Sequence, residues 1–187
     1  MANTYKDNVG VVLNELNASL SAVDAESIER LMDLVMNAEK VFFVGVGRVL
    51  LSLQAIAKRW AHLGIECHIV GEITEPAITD KDVLIVGSGS GKTLVPVGIA
   101  KIAHSKGAKI VHIGSNRESD IKEELELMVR IPVRTKYYLD DEFDSIQPMT
   151  SLFEQSLLLM GDIIAMMIIE KKGLDLKGLW KFHANLE

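Results

Sequence analysis

The segment Gly87–Thr93 reads GSGSGKT and places two hydroxyls among glycines directly after an apolar run. A turn of this kind, where a strand passes into a helix, presents unpaired N–H groups and the positive end of the helix dipole. Ser88, Ser90 and Thr93 add hydroxyl donors to those groups. The pattern predicts a binding site for one phosphate monoester. In the alternative interpretation, the two serines only cap the helix that follows.

An earlier turn, Gly45–Arg48 (GVGR), also follows an apolar run and brings a cation to the start of the next helix. Arg48 can add a charge-assisted contact to the same phosphate. The spacing begins like the dinucleotide-binding pattern G-x-G-x-x-G, but Leu50 stands where the third glycine is needed. We therefore reject a dinucleotide site at this turn.

The residues Gly91-Lys92-Thr93 also match the end of the nucleotide-binding pattern G-x-x-x-x-G-K-[ST]. The first glycine of that pattern would fall at Val86, so the loop is one residue too short to wrap a β-phosphate in the usual way. Nucleotide binding is accordingly kept only as a minor option.

The elements that hold these turns follow from apolar runs, most of them continuous, which are typical of strands covered on both faces of a parallel sheet. The predicted strands are Val41–Gly45, Glu66–Val70, Asp82–Gly87, Lys109–Gly114 and Met128–Val133. The predicted helices are Tyr5–Leu20, Ala25–Asn37, Val49–Leu63, Thr93–Lys106, Glu118–Leu125 and Ser151–Lys172. Their alternation predicts a three-layer α/β/α domain, in which ligands bind at the carboxyl ends of the strands.

Composition restricts the function further. The 187 residues fit one domain, and 48% of them are hydrophobic. The net charge of −6 argues against nucleic acid or an anionic membrane as the main partner. The single cysteine, Cys67, excludes an intramolecular disulfide. The start of the chain lacks the pattern of a signal peptide, and the apolar stretch Leu157–Ile169 is too short and interrupted to span a bilayer. We expect a cytoplasmic globular protein.

The blocks around these turns resemble a known family. Ser88–Thr93 resembles the signature of SIS (sugar isomerase) domains, which alone identifies only the superfamily. Seven further blocks, in the same order and spanning nearly the whole chain, resemble 6-phospho-3-hexuloisomerases: Gly45–Arg48, Arg59–Gly64, Val70–Glu72, Gln147–Met149, Ser151–Gln155, Glu170–Asp175 and His183–Glu187.

The resemblance implies a single SIS domain over residues 1–187, with a flavodoxin-like, five-stranded parallel sheet and N-terminal helices within residues 4–37. It implies a homotetramer that needs neither metal nor organic cofactor. It also implies interconversion of D-arabino-hex-3-ulose 6-phosphate and fructose 6-phosphate, in the ribulose monophosphate route of formaldehyde fixation.

The resemblance also assigns roles to particular residues. Ser151-x-x-Glu154 has the spacing of a helix capping box, and the residues alone favour that role, but in the family this glutamate is the proposed proton acceptor. The sugar chemistry makes His62 and His183 candidates for acid roles, for binding hydroxyls or for opening and closing the sugar ring, with a helix-end cation and a loose terminus as the alternatives. The phosphate would be held by Gly47, Arg48, Ser88, Gly89, Ser90, Gly91, Lys92 and Thr93.

The same comparison predicts that the tail, residues 173–187, docks on a neighbouring subunit. Two positions depart from the family: Val49 stands where a serine is usual, and Lys92 where glutamate is frequent. These departures leave two other functions open, namely a non-catalytic phosphosugar-sensing module and an isomerase of another sugar phosphate.

Overall fold

A computed structural model describes residues 3–186, so Met1, Ala2 and the final tail residue, Glu187, lie outside the described part. Five parallel strands form one sheet in the order β2-β1-β3-β4-β5. Their bounds are β1 Val41–Val44, β2 Cys67–Ile69, β3 Val83–Gly87, β4 Lys109–Gly114 and β5 Leu125–Arg130. This order is flavodoxin-like and confirms the predicted fold class.

Helices flank the sheet on both faces. They are α1 Tyr5–Ser21, α2 Ala25–Asn37, α3 Gly47–Ala61, α4 Leu94–Ser105 and α5 Ser151–Lys172, with 3-10 turns at Lys122–Glu124 and Gly178–Phe182. Alternating strand residues divide the core, since Val41 and Phe43 pack with α2, α3 and α5, whereas Phe42 and Val44 pack with α4. Both turns singled out in the sequence lie at the carboxyl end of this sheet, after β1 and β3.

The prediction for the last strand is wrong by three residues. The run Met128–Val133 was expected to pair, but β5 begins at Leu125 and ends at Arg130, and the preceding helix is reduced to the turn Lys122–Glu124. As an edge strand β5 alternates, with Leu127 and Val129 buried and Glu126 exposed, so a search for continuous apolar runs misplaces it. Pro132, which has no N–H, lies beyond its end.

Helices α3 and α5 run side by side in the same direction and touch closely. The indole Nε1–H of Trp60 donates to the carbonyl of Gly161 at 3.0 Å, and a Cβ at position 161 would collide with Ile56. At the other end of the pair, the Ser52 hydroxyl donates to the backbone carbonyl of Glu154 at 2.9 Å. The two helices therefore set the position of Glu154 relative to the first turn of α3.

Among the described residues, one helix is long and apolar enough to cross a membrane by length and composition, namely α5. More than half (56%) of its most apolar window is buried inside the fold, including Leu157, Ile164 and Ile168. That burial is typical of the core helix of a globular domain.

Candidate active site

The loop Ser88–Thr93 forms a tight turn between β3 and α4. The Gly91 N–H donates to both the carbonyl and the hydroxyl of Ser88, each at 3.1 Å, and Gly91 itself has a φ of +64°. The Ser88 and Thr93 hydroxyls lie 3.1 Å apart, and the Lys92 N–H donates to the Ser90 hydroxyl at 3.4 Å. The structure thus brings together the hydroxyls of Ser88 and Thr93, two of the three that the sequence predicted to hold a phosphate.

The alternative interpretation, in which Ser88 and Ser90 cap α4, is wrong. The N-cap residue of α4 is Thr93, and in the described part of the chain its side chain makes no capping hydrogen bond. The hydroxyls of Ser88 and Ser90 accept from Gly91 and Lys92 within the loop instead. The first turn of α4 contains no acidic residue, and the N–H groups of Leu94 and Val95 point out of the helix start, where an anion can accept from them, whereas Pro96 has no N–H.

Glu154 is buried, with 7% of its surface exposed, in the first turn of α5. Its Oε2 accepts a hydrogen bond from Arg48 Nε, and its Oε1 accepts from the Thr150 hydroxyl at 2.8 Å. The helix begins at N-cap Thr150, so the capping box starting at Ser151 does not form and that alternative is wrong. A buried carboxylate bound on one oxygen by a cation and on the other by a hydroxyl is well oriented for proton transfer.

Arg48 and Gly47 form the first turn of α3, where Gly47 has a φ of +57°. The Arg48 side chain is 65% exposed although its Nε binds Glu154, so the rest of its guanidinium faces solvent. An open cavity of about 200 Å³ lies beside this pair. Its lining residues are Arg48, Leu51, Ser52, Glu154, Gln155 and Leu158. The carboxylate therefore borders a space that a small ligand can enter.

The loop Ser88–Thr93 and the carboxylate of Glu154 are neighbours through Phe153. The Cα of Gly89 faces this ring, and a Cβ at Gly89 would lie 3.8 Å from Phe153 and 3.3 Å from the Thr135 methyl. Val49, the departure from the family, packs its Cγ1 against the Cα of Gly87 at the end of β3. Lys92 is exposed and its Nζ lies 5.7 Å from the ring centre of Tyr137.

The two predicted histidines lie together, but away from this carboxylate within one subunit. His62 is the C-cap of α3, fourteen residues beyond Arg48, which corresponds to about 21 Å along a helix. The His62 and His183 rings stack with centres 5.3 Å apart, and Trp180 packs on His183 at 5.0 Å. They line a cavity of about 410 Å³ between the tail and helices α3 and α5. Their predicted roles therefore remain predictions that a single subunit does not test.

Two histidines have a pKa below the ordinary value of 6.5. Burial lowers the pKa of His62, and the charges of Lys58, Arg59 and His183 lower it further. Burial also lowers the pKa of His112, although a hydrogen bond to the Ser88 carbonyl opposes that effect. Both side chains are therefore favoured in the neutral form when the protein is folded.

These pKa values predict that acid weakens the fold. Below pH 6.5 the unfolded chain takes up protons that folded His62 and His112 resist, so the free energy of unfolding should fall as the pH decreases from 6.5 towards 5. Urea unfolding at pH 7.5 and pH 5.5 measures this. His112→Gln should reduce the dependence, while the control His104→Gln, at an exposed position, should retain it. A free energy of unfolding that rises on acidification would contradict the prediction.

Sequence reasoning missed several side chains that shape the site. Thr150 and Ser52 hold Glu154, and His112 is completely buried beneath the loop Ser88–Thr93. A polar residue inside an otherwise apolar strand was the one available signal for His112. Among residues 3–186, no cluster of three or more His, Cys, Asp or Glu side chains could hold a metal ion.

The fold and these two turns define a SIS domain, and the sequence matches that family over residues 34–159, which include Arg48, the loop and Glu154. The chain is 38% identical over 179 residues to the 3-hexulose-6-phosphate isomerase of Bacillus subtilis, covering 96% of this chain and 97% of that protein. The chain belongs to the SIS domain family, in the group of the 3-hexulose-6-phosphate isomerases.

A solved structure from Methanococcus jannaschii is also similar, with a TM-score of 0.82 and 29% identity over 96% of this chain and 99% of that one. For that protein, the structure was taken to infer the function of a 3-hexulose-6-phosphate isomerase. An uncharacterized HTH-type transcriptional regulator of Thermotoga maritima is 29% identical in an alignment of 123 residues that covers 63% of this chain and 42% of the regulator.

Proposed function

We propose that this protein interconverts D-arabino-hex-3-ulose 6-phosphate and fructose 6-phosphate, in the ribulose monophosphate route of formaldehyde fixation. The observation that carries the proposal is the buried, oriented carboxylate of Glu154. Its neighbour in the chain, Phe153, packs on Gly89 of the loop Ser88–Thr93. Moving a carbonyl group between two adjacent carbons of a phosphorylated sugar requires a site for the phosphate and one base beside it.

The proton transfer needs one base on one face of the sugar. Glu154 would remove the proton from C2 of the 3-ulose, which gives an enediolate across C2 and C3. The same carboxyl group would return the proton to C3, while the O2 hydroxyl loses its proton and O3 gains one, so the carbonyl moves to C2. Arg48, bound to Glu154 and facing solvent with its remaining N–H groups, can stabilise the negative oxygen of the enediolate.

The phosphate would be held by the loop and by the neighbouring first turns of α4 and α3. The loop supplies the hydroxyls of Ser88, Ser90 and Thr93 and the N–H of Gly89, while Gly91, whose own N–H is bonded to Ser88, allows the turn at positive φ. The other contributors are Lys92, at the end of the loop, and Gly47 and Arg48 at the start of α3. Binding at this remote group holds the reacting carbons near the carboxylate.

The histidines enter the proposal through the assembly. The 3-ulose cannot close a five-membered ring because O6 carries the phosphate, whereas fructose 6-phosphate closes through O5 onto C2. A proton shuttle for ring opening is therefore needed on the fructose side, and His62 or His183 of a neighbouring subunit would supply it. We propose a cytoplasmic homotetramer in which His62 or the tail, residues 173–187, reaches the site of another copy.

Replacing Arg48 tests its contact with Glu154 and its proposed contact with the substrate. We expect Arg48→Met to raise the KM for fructose 6-phosphate by about ten- to a hundredfold, since a charge-assisted hydrogen bond to the substrate is lost, and to lower kcat because Glu154 loses its partner. Steady-state kinetics measures both. Lys101→Met removes an exposed cation elsewhere, on α4, and should change neither constant. Equal kinetics for the two variants would remove Arg48 from the site.

A second candidate is a non-catalytic phosphosugar-sensing module, favoured by the similarity to part of a transcriptional regulator. Sensing requires only the phosphate loop, whereas isomerisation also requires Glu154. The two functions therefore differ in proton exchange and not in binding.

Incubation with fructose 6-phosphate in deuterated buffer containing EDTA separates these functions. We expect deuterium at C3 of fructose 6-phosphate and formation of the 3-ulose, because the proposed transfer uses no metal. Binding of fructose 6-phosphate without any exchange would favour the sensing module. Deuterium at C1 instead would indicate an aldose–ketose isomerase.

A further inference from the structure

His112 lies in β4 with none of its surface exposed, and its side chain reaches the loop that follows the neighbouring strand. Its Nε2 is 2.8 Å from the backbone carbonyl oxygen of Ser88, which also accepts from the Gly91 N–H. A carbonyl oxygen can only accept, so Nε2 must carry the proton. The ring is therefore held in one neutral tautomer, with Nδ1 buried and unpartnered among the described residues.

Every carbonyl oxygen of the loop from Ser88 to Gly91 is bound by the segment that contains and follows β4. His112 binds the oxygen of Ser88, the N–H groups of Ser115 and Asn116 bind that of Gly89, the Asn116 amide binds that of Ser90, and the Asp120 N–H binds that of Gly91. These contacts fix the carbonyl oxygens on the side of β4. The N–H groups of Ser88 and Gly91 are bonded as well, to the Ile113 carbonyl and to Ser88, so the N–H groups of Gly89 and Ser90 and the loop hydroxyls are the donors left to an anion. An anion that approaches the loop would otherwise meet carbonyl lone pairs.

We propose that His112 is a positioning residue for the phosphate site: its Nε2–H holds the Ser88 carbonyl away from the substrate phosphate, and the loop depends on that bond for its anion-binding form. The inference rests on the proposed function, since it assigns the loop to a phosphate. The imidazole also packs between Gly91 and Gly114. An experiment must therefore distinguish the effect of the ring's bulk from the effect of its hydrogen bond.

Two variants make that separation. His112→Met retains the apolar bulk but has no donor, whereas His112→Gln retains an N–H donor of similar reach. We expect His112→Met to raise both the Kd for inorganic phosphate and the KM for fructose 6-phosphate by about tenfold or more, with kcat changed much less. His112→Gln should restore most of the affinity. If the two variants lose stability alike and neither changes Kd or KM, His112 only fills the core and the proposal is overturned.

A measurement on the unaltered protein covers the case in which the variants fail to fold. Titration with inorganic phosphate should shift the NMR signal of the His112 Nε2–H, while the Trp60 Nε1–H, bonded to Gly161 on the other side of the sheet, should not move. An unchanged His112 signal at saturating phosphate would overturn the inference. The proposed function fails separately, if fructose 6-phosphate undergoes no proton exchange while inorganic phosphate still binds and shifts the signal.

Discussion

Replacing Glu154 by glutamine should lower kcat for fructose 6-phosphate by about 10²- to 10⁴-fold, the usual contribution of a general base, while the sugar phosphate still binds. Glutamine has nearly the same shape: its amide oxygen can accept from Arg48 Nε, and its amide N–H can donate to the Thr150 hydroxyl, so the geometry around position 154 should persist. It cannot take up the C2 proton. A coupled isomerase assay measures turnover, and a thermal shift with fructose 6-phosphate measures binding.

Glu170→Gln is the matched control for this change. Glu170 lies on the same helix, α5, but is exposed near the opposite end, so its neutralisation should leave kcat and binding unchanged. Turnover that survives in Glu154→Gln would show that another group is the base. Loss of binding together with turnover would instead mean that Glu154 holds the substrate and leave its role as the base unsupported.

Gly91→Ala should abolish most of the phosphate binding. Gly91 has a φ of +64°, which disfavours a side chain, and a Cβ there would collide with Ser119 and lie 3.0 Å from the His112 ring. The loop must then move away from Ser119 and break the hydrogen bonds that hold its carbonyls. We expect the Kd for inorganic phosphate to rise by about a hundredfold, and the free energy of unfolding to fall by about 1–3 kcal/mol.

The matched control is Gly98→Ala, seven residues further on. Gly98 lies inside α4, and among residues 3–186 a Cβ there would meet no atom within 4 Å beyond its chain neighbours and its own helix backbone. Alanine favours a helix interior over glycine, so this variant should be stabilised by about 0.5–1 kcal/mol with phosphate binding unaltered. Calorimetric titration and urea unfolding of both variants measure the effects. Unimpaired phosphate binding by Gly91→Ala would place the anion elsewhere.

The sheet and the loop could be predicted because their signals are local. Buried parallel strands are visible in the sequence as short apolar runs. The loop is visible as hydroxyl residues and glycines that directly follow one of these runs. The helix α5 was predicted with its observed bounds, whereas β5 was misplaced because an edge strand alternates and offers no continuous run. Local sequence therefore predicts the position of most helices and strands, and it is least reliable for strands at the edge of the sheet.

The environment of Glu154 could not be predicted from the residues alone. Its partner Arg48 is 106 positions away in the chain, and the N-cap of α5 is Thr150, one residue earlier than the sequence pattern indicates. Local spacing favoured a capping box, and only the family resemblance pointed to a base. Which oxygen binds which donor depends on how α3 packs against α5, and packing between distant segments leaves no mark in a single sequence.

The close contact of Gly161 with α3 has an evolutionary consequence. Because the Cα of Gly161 faces the Ile56 side chain, any larger residue at 161 requires a smaller one at 56. Among descendants of this chain, the two positions should therefore change together. A substitution that instead pushes α3 and α5 apart would move Glu154 away from Arg48 at the other end of the two helices. Such a change should reduce turnover before it prevents folding.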